Sequence, residues 1–225
     1  MKVTGNSSLT RIMLSHLAEK YKLKEKRSGI HLSTLIYCLT RQQFDQQKPV
    51  EPTDEEVMLF ALGFGLQDIL TPIDASTPQY EKDGVVYSPD FVLNLSTNLT
   101  VGTNNLCELK TTRMSAKRAD EHDFPETWVE YMKGGCFIRE CNTYDLTVLY
   151  MMGSYSPPFP VIKSFTFDFS EDELLDNWNY LMDRKLVYEE ALASGVLVPP
   201  YSRCKDWECK YCRYSLICQT MKAGG

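Results

Sequence analysis

Two charged side chains lie two positions apart in the segment LCELKTT, at residues 106–112. The segment has the character of a β-strand, in which successive side chains point to opposite faces. Glu108 and Lys110 therefore share one face, and the more apolar residues between them share the other. Two interpretations are open for this stretch alone: a salt-bridged pair on a solvated strand face, or part of a functional site.

A third charged residue extends this pair. Asp90 follows Pro89 at the start of the preceding predicted strand, and a polar loop, STNLTVGTNN, connects the two strands. If the strands pair antiparallel, Asp90, Glu108 and Lys110 can converge. Two carboxylates in a partly buried place repel each other and lose hydration, so we expect a cation between them. Their oxygen ligands favour Mg²⁺ or Mn²⁺.

A lysine beside such a metal has a chemical use. It can orient or deprotonate an attacking water molecule, and it can stabilise the charge that develops on a phosphate group. Together with two metal-binding carboxylates, this is the chemistry of phosphodiester hydrolysis.

Four of the eight cysteines crowd into the C-terminal segment CKDWECKYCRYSLIC, and three of them have the spacing C-x2-C-x5-C. Thiolates at this density in a reducing compartment indicate a metal ion or a cluster. Two ligand sets are open. Cys204, Cys209, Cys212 and Cys218 can form a local zinc site, or Cys38 can replace Cys204 and join the two ends of the chain.

The elements that must position these residues begin with helices. The N-terminal region to Arg27 is predicted to be helical. Apolar residues at helical spacing predict a second helix over HLSTLIYCLTRQQFDQ, with Cys38 near its middle. A third helix, TDEEVMLFALGFGLQDIL, starts with a capping box formed by Thr53 and Glu56, and its apolar run predicts burial.

From Tyr80 the pattern changes to strands. Asp83-Gly84 predicts the turn of a hairpin whose second arm continues past Pro89. Further strands are predicted over NLCELKTT, YDLTVLYMMGS and VIKSFTFDF, with a helix over FPETWVEYMKGGCFIREC. Ser170 and Glu173 predict the capped start of a long helix that ends near residue 194.

The fold class predicted from this order is α/β, a small mixed sheet flanked by helices, within one domain over residues 1–225. A helical region at 30–72 contributes Cys38, the mixed-sheet core occupies 80–170, and the cysteine-rich tail occupies 199–220. The helical N-terminal region and the tail are additions to the core.

Composition limits the class of protein further. The chain has 225 residues and a net charge of -6, no apolar run approaches the roughly 20 residues that cross a bilayer, and the stretch MKVTGNSSLTRIM lacks the apolar run that is typical of a secretion signal. We therefore expect a cytoplasmic protein with reduced cysteines. Cys107, Cys136 and Cys141 lie singly in apolar or helical surroundings, where a free cysteine behaves as a small buried apolar residue.

The spacing of the two carboxylates and the lysine resembles the motif of a known family. SPD at 88–90, followed by ELK at 108–110, is similar to the bipartite motif of the PD-(D/E)XK nuclease superfamily. The resemblance implies a restriction-endonuclease-like core and a Mg²⁺- or Mn²⁺-dependent deoxyribonuclease. Asp90, Glu108 and the backbone carbonyl of Leu109 would be metal ligands, and Lys110 would be the catalytic lysine beside the two carboxylates.

Two flanking motifs of RecB-like members are altered here. Their Gly-x-x-x-His motif carries a metal-binding histidine, whereas GFGLQ places Gln67 at that position. An amide oxygen is a weaker ligand than imidazole for Mn²⁺. Their Gln-x-x-x-Tyr motif corresponds to TWVEY, which keeps Tyr131 for DNA contact and has Thr127 in place of glutamine. The changes imply altered or reduced activity.

The cysteine spacing resembles the iron-sulfur branch of RecB-like nucleases, which includes the CRISPR-associated RecB-like exonuclease and AddB-type helicase-nucleases. One cysteine lies before the nuclease motifs and three follow them. The resemblance extends from about residue 30 to residue 218 and implies a structural 4Fe-4S cluster on Cys38, Cys209, Cys212 and Cys218. Such a clamp closes a long loop of chain.

The same resemblance implies DNA as the substrate, with single-stranded ends and a prokaryotic or phage-infected cell as its setting. CRISPR adaptation or phage recombination proteins are the implied partners. Basic residues of the tail predict phosphate contacts and its aromatic residues predict stacking faces, unless the aromatic residues only cover the cluster. The basic residues are Lys205, Lys210 and Arg213, and the aromatic residues are Trp207, Tyr211 and Tyr214.

Three functions remain open from the sequence. The first is a metal-dependent DNA exonuclease with a structural cluster. The second is a DNA-binding protein of the same fold with weak or no cleavage, which the changes at Gln67 and Thr127 favour. The third is a zinc-tail binding protein whose acidic strand face is ordinary surface.

Overall fold

The structure is a computed structural model that describes residues 7–22, 28–72, 75–95, 103–157, 159–198, 206–210 and 212–223. Two small β-sheets lie among helices, so the predicted α/β architecture with a mixed sheet flanked by helices is confirmed. The helices are α1 (Ser7–Lys22), α2 (Leu32–Ile36), α3 (Leu39–Gln47), α4 (Asp54–Leu70), α5 (Lys117–Asp120), α6 (Glu126–Arg139), α7 (Glu171–Ser194), α8 (Asp206–Lys210) and α9 (Ser215–Ala223). The strands are β1 (Ile30–His31), β2 (Tyr80–Lys82), β3 (Val85–Tyr87), β4 (Phe91–Leu95), β5 (Thr103–Thr112), β6 (Thr143–Tyr150) and β7 (Val161–Asp168).

The larger sheet has the strand order β4-β5-β6-β7. Strands β4 and β5 pair antiparallel with Phe91 opposite Cys107, as the convergence of Asp90 with β5 requires. Strands β5 and β6 pair in parallel, and β6 and β7 pair antiparallel. A parallel pair needs a crossover connection, which here includes α6. This sheet is mixed, as predicted.

The smaller sheet has the order β1-β3-β2. The Asp83-Gly84 turn has positive φ at both residues, 51° and 72°, which matches the backbone twist of a tight hairpin. The hairpin is therefore confirmed, but its predicted second arm is too long. Strand β3 ends at Tyr87, and after Pro89 the chain enters the other sheet as β4.

Cys38 does not lie in the middle of a helix, contrary to the prediction. It separates α2 from α3, with φ −55° and ψ 113° as the residue that precedes α3. The Cys38 amide donates a hydrogen bond of 2.8 Å to Glu208 Oε2, far along the chain. The Arg184 guanidinium donates to the carbonyls of Leu35 and Tyr37, which satisfies groups that an unbroken helix would bond internally.

Both predicted capping boxes are present, at Thr53 with Glu56 and at Ser170 with Glu173. The predicted burial of the α4 helix is wrong: Val57 is its buried residue among the described side chains. Helix α1 covers part of α4, and several large apolar side chains elsewhere on the helix remain exposed. The exposed residues of α4 are Met58, Leu59, Leu62 and Ile69.

The core lies where α2, α6 and α7 pack against one another and against the sheets. Gly135 on α6 lies against the ring of Tyr87, and a Cβ at this position would be 2.6 Å from Tyr87 Cζ. Any larger residue would push α6 away from β3. Representative side chains with at most 1% exposure are Leu32, Leu35, Met132, Leu146 and Leu181.

The predicted helical region at 30–72 contains β1 and α2 to α4, and the predicted core at 80–170 contains both the hairpin and the larger sheet. These domain limits, including the tail at 199–220, stay predictions. Within the described residues, no helix combines the length and apolar composition needed to cross a bilayer.

We predict that Arg184→Met destabilises the protein by about 2–4 kcal/mol, because the buried Leu35 carbonyl and the partly buried Tyr37 carbonyl lose charged donors. The measurement is chemical unfolding followed by circular dichroism. Lys185→Met is the matched control, since Lys185 is the next residue of α7 and forms an ion pair with partly exposed Glu189. We expect a change of about 1 kcal/mol or less for the control. Equal effects of the two substitutions would contradict the bridging role of Arg184.

Candidate active site

A cavity of about 190 Å³ brings the three sequence-predicted residues Asp90, Glu108 and Lys110 together. Asp90 immediately precedes β4, and the other two lie on the adjoining strand β5. The remaining walls come from the segment β1 to α2, from the region near Cys38, and from the first turns of α6. The convergence that the spacing predicts is therefore present.

Two hydrogen bonds help to position Asp90. Asp90 Oδ2 accepts from the Leu109 amide at 2.7 Å, so the carboxylate lies beside the peptide of the Glu-x-Lys motif. Asp90 Oδ1 accepts from Gln67 Nε2 at 2.9 Å. Gln67 is on α4, and the bond places this side chain at Asp90, where the sequence predicts a contribution to a metal site.

Glu108 is almost fully buried, with 4% exposure, which rules out a solvated strand face. It forms an ion pair with Lys110 and accepts a hydrogen bond of 3.3 Å from the Tyr144 hydroxyl. Tyr144 and Tyr87 share a hydrogen bond of 2.6 Å between their hydroxyls. Burial raises the pKa of Glu108 from 4.5 to about 7, Lys110 opposes this shift, and Asp90 adds to it.

Lys110 carries the positive charge of the cavity. Burial acts to lower the pKa of Lys110, but Glu108 and Asp90 outweigh it and raise the pKa above its usual range. The ammonium nitrogen lies 5.6 Å from the centroid of the Tyr131 ring, which adds a cation–π contact. The lysine is therefore held protonated at neutral pH.

Helix α6 supplies the wall opposite the strands. Tyr131 donates a hydrogen bond of 2.9 Å to the Ser88 carbonyl, and Thr127 is buried one turn earlier. Both residues line the cavity, in the positions that the altered Gln-x-x-x-Tyr motif predicts. Their predicted roles in DNA contact stay predictions.

The cavity also has lining residues that the sequence did not single out, among them His31, Tyr37 and Trp128. Burial raises the pKa of the Tyr37 phenol, with opposing effects of Lys110 and Glu108 that place this group near both. The available signal was the position of Tyr37 beside Cys38. Nothing in the local pattern around His31 indicated that β1 would form a wall of the cavity.

The cysteine region, which comprises Cys38 and the tail residues from 206 to 218, lies next to Tyr37. Cys38 is buried, and its amide bonds to Glu208 next to Cys209. Burial raises the pKa of the Cys212 thiol, and the neighbouring thiols Cys38 and Cys209 add to this rise, so these three cysteines share one neighbourhood. Cys218 lies on α9. Within the described part of the chain, no group of three or more His, Cys, Asp or Glu side chains has an arrangement ready to hold a metal ion.

The structure contradicts two of the DNA contacts that the sequence predicts for the tail. Arg213 does not point to solvent: its guanidinium binds Asp45, and its Nη1 lies 3.4 Å from Glu56 Oε2. Tyr214 is buried and stacks on Phe44 with 5.0 Å between ring centroids. These residues pack the tail onto α3 and α4. The predicted phosphate contact of Arg213 and the predicted stacking face of Tyr214 are therefore wrong.

The other tail residues differ in position. Trp207 is about half exposed and contacts the Tyr37 ring edge-to-face, at 6.4 Å between centroids. Lys210 is exposed, and its predicted phosphate contact stays a prediction. Cys204, Lys205 and Tyr211 lie outside the residues whose side chains the structure describes.

Comparisons with known proteins bear on the fold. No family model and no curated protein matches the chain. The crystal structure of SSO0001 is 17% identical, with 95% of this chain and 97% of that chain covered and a TM-score of 0.56. An alkaline exonuclease (LHK-Exo) from Laribacter hongkongensis is 8% identical, with 74% and 90% covered and a TM-score of 0.49. A phage related exonuclease from Haemophilus somnus 129PT is 9% identical, with 76% and 97% covered and a TM-score of 0.45.

The likeness to SSO0001 extends over nearly the whole of both chains, and at this sequence identity it shows a shared fold alone. The two exonucleases superpose less closely.

We predict that Glu108 makes the metal-free protein less stable as the pH rises. Its folded-state pKa is raised, so the folded state holds a proton between pH 4.5 and about 7 that the unfolded state has lost, and stability falls across this window. The Glu108 contribution is on the order of 2 kcal/mol. Urea unfolding at about pH 5 and about pH 7.5 measures it.

Glu108→Gln should remove this part of the pH dependence, because an amide does not titrate. Glu140→Gln is the control: Glu140 is exposed, and its hydrogen bond with Lys82 lowers its pKa, so it stays ionised throughout the window. An unchanged pH dependence in Glu108→Gln would contradict the buried, titrating carboxylate.

Proposed function

We propose that this chain is a metal-dependent deoxyribonuclease of the PD-(D/E)XK type that hydrolyses phosphodiester bonds at DNA ends. The observation that carries the proposal is the convergence of Asp90, Glu108 and Lys110 in one cavity, with Asp90 bonded to the peptide between the other two. A surface ion pair would require neither the burial of Glu108 nor the second carboxylate beside it.

The side chains of the cavity suit a hard divalent cation. Glu108 is buried with a second carboxylate nearby, and both are stabilised in their ionised form when a cation shares them. Asp90, Glu108 and the Leu109 carbonyl would hold Mg²⁺ or Mn²⁺. Gln67 would add its amide oxygen after its side chain turns from the present hydrogen bond to Asp90. The cation would supply Lewis-acid activation of a water molecule and of the phosphate.

Lys110 has the charge needed at a phosphate. Because Glu108 and Asp90 keep it protonated, it would stabilise negative charge on the phosphate and orient the attacking water, rather than accept a proton from that water. Its cation–π contact with Tyr131 and its ion pair with Glu108 hold the amine in place. Position and charge are thus set before a substrate binds.

The walls of the cavity favour a single strand over a duplex. The cavity volume of about 190 Å³ is small, and Tyr37, Trp128 and Tyr131 offer aromatic surface to an unpaired base. We therefore propose single-stranded DNA ends as the substrate. CRISPR adaptation or phage recombination proteins stay predicted partners.

We further propose that the cysteine region holds a structural 4Fe-4S cluster on Cys38, Cys209, Cys212 and Cys218. The shared neighbourhood of Cys38, Cys209 and Cys212 supports this set, because it joins the distant N-terminal cysteine to the tail. The cluster would tie the two ends of the chain together. Zinc on the four tail cysteines, with Cys204 in place of Cys38, is the alternative.

A DNA-binding protein without efficient cleavage is the second candidate function. Gln67 donates to Asp90 in this structure, where a histidine would offer a lone pair to a metal, and buried Thr127 replaces a longer amide side chain. Both changes act on metal and DNA binding and leave the fold intact.

We predict that the purified protein with Mn²⁺ degrades end-labelled single-stranded DNA, and that Asp90→Ala and Lys110→Ala each lower the rate about 100-fold or more. The reason is the loss of a cation-binding carboxylate in one variant and of the phosphate-stabilising charge in the other. Product length and rate on gels measure the effect.

Lys133→Ala is the matched control for these variants, since Lys133 lies on α6 and pairs with Glu173 outside the cavity. We expect it to retain activity. Tight DNA binding by the wild-type protein without cleavage would support the second candidate function, and full activity in Asp90→Ala would overturn the nuclease proposal.

For the cluster, we predict absorbance at about 400 nm and about four irons per chain after anaerobic purification. Cys38→Ser and Cys212→Ser should lose both signals, whereas Cys204→Ser should keep them. The opposite outcome would be one zinc per chain that is lost in Cys204→Ser and kept in Cys38→Ser. That result would contradict the cluster and support the zinc site in the tail.

A further inference from the structure

Cys136 and Cys141 meet at the C-terminal end of α6, although the sequence suggested two isolated thiols. The helix ends at Arg139, and Glu140 then adopts a left-handed conformation with φ 54°. This turn returns the chain towards the helix, and the Cys141 amide donates a hydrogen bond of 3.1 Å to the Cys136 carbonyl. Two residues five positions apart are thereby brought side by side.

Their sulfur atoms also share a partner. The thiols of Cys136 and Cys141 both contact the Thr143 carbonyl oxygen, at 3.5 Å and 3.8 Å. The two thiols also form a hydrogen bond with each other, so their sulfur atoms lie close enough to react. Both cysteines are free thiols in this structure.

The two thiols differ in access and acidity. Cys136 is fully buried, whereas Cys141 is partly exposed. The hydrogen bond from Cys136 lowers the pKa of Cys141, and the charge of Arg139 lowers it further, against the opposing effect of burial. Its hydrogen bond with Cys141 raises the pKa of Cys136, and burial raises it further. The more accessible sulfur is therefore the more reactive one.

We propose that Cys136 and Cys141 form a reversible dithiol–disulfide site, in which Cys141 reacts first with an oxidant and Cys136 resolves the product. With hydrogen peroxide, the Cys141 thiolate attacks one oxygen and becomes a sulfenic acid as hydroxide leaves. The Cys136 sulfur then attacks the Cys141 sulfur, the S–O bond breaks and water leaves. In total, two thiols and one peroxide give one disulfide and two waters.

The dithiol site is separate from the cavity. Neither cysteine lines it, and the pair lies at the opposite end of α6 from Thr127 and Tyr131. The disulfide would fix the turn from α6 to β6, which begins at Thr143. Formation of this disulfide therefore does not depend on the proposed nuclease function.

Peptide mapping tests the proposal on the full-length protein. Trypsin cleaves after Lys133, Arg139 and Lys163, so each cysteine falls in a different peptide, 134–139 and 140–163. After treatment with hydrogen peroxide and alkylation of the remaining thiols, we expect these peptides linked, with the mass of their sum less two hydrogen atoms. A reducing agent should separate them.

Single variants test the order of the reaction. In Cys136→Ser, we expect a sulfenic acid at Cys141 that dimedone traps, and in Cys141→Ser we expect Cys136 to stay a reduced thiol. Cys107→Ser is the control, because Cys107 is buried on β5 and its thiol contacts the Asn105 carbonyl, and it should keep the 136–141 link. Absence of that link in folded, peroxide-treated protein would overturn the proposal, as would dimedone labelling of Cys136 in Cys141→Ser.

Discussion

The burial of Glu108 beside Lys110 is the interaction on which the candidate site depends. A carboxylate in the middle of a sheet loses most of its hydration, so its surroundings must stabilise either a proton or a positive charge. Lys110 supplies charge, and the Tyr144 hydroxyl supplies a hydrogen bond. A surface position would require no such arrangement, which is why this pair is more informative than its motif.

The tyrosine that donates a hydrogen bond to Glu108 is itself positioned by other elements of the fold. The Tyr144 hydroxyl bonds to that of Tyr87, and Gly135 leaves room on α6 for the Tyr87 ring. The same helix presents Tyr131 to the cavity, where its ring contacts the Lys110 ammonium group. Contacts that begin at the Glu108 carboxylate therefore connect strand β5, the β2–β3 hairpin and helix α6.

A second group of contacts determines the opposite wall. The break between α2 and α3 is stabilised by Arg184 at one side and by Glu208 at Cys38. Tyr37 lies in this break, with Lys110 and Glu108 near its phenol and Trp207 against its ring. One tyrosine thus contacts both the cavity and the cysteine region, although these were recognised as separate motifs in the sequence.

The sequence predicted features whose causes are local. Capping boxes, the hairpin turn and the alternation that puts Glu108 and Lys110 on one face all depend on residues a few positions apart. The break at Cys38 escaped prediction because its partners lie about 150 and 170 residues further on. The inward turn of Arg213 has a similar cause, since Asp45 and Glu56 are distant in sequence.

Two errors had other causes. The apolar run of α4 predicts burial, but a run without periodicity does not show which side of the helix is covered, and α1 covers only part of it. The pairing of Cys136 with Cys141 depends on a left-handed residue, Glu140, which is not a residue type that usually adopts this conformation. The helix α1 itself was predictable, but neither its packing against α4 nor the left-handed turn at Glu140 has a strong local signal.

The bond between the Cys38 amide and Glu208 spans 170 positions, and this separation matters for how the protein is made. During synthesis from the N-terminus, Asp90 and strand β5 with Glu108 and Lys110 leave the ribosome before Glu208 does. The charged cluster can thus assemble on a nascent chain whose Tyr37 segment still lacks its C-terminal anchor. Closing so long a loop is entropically costly and slow, so completion of this wall is expected among the last events of folding.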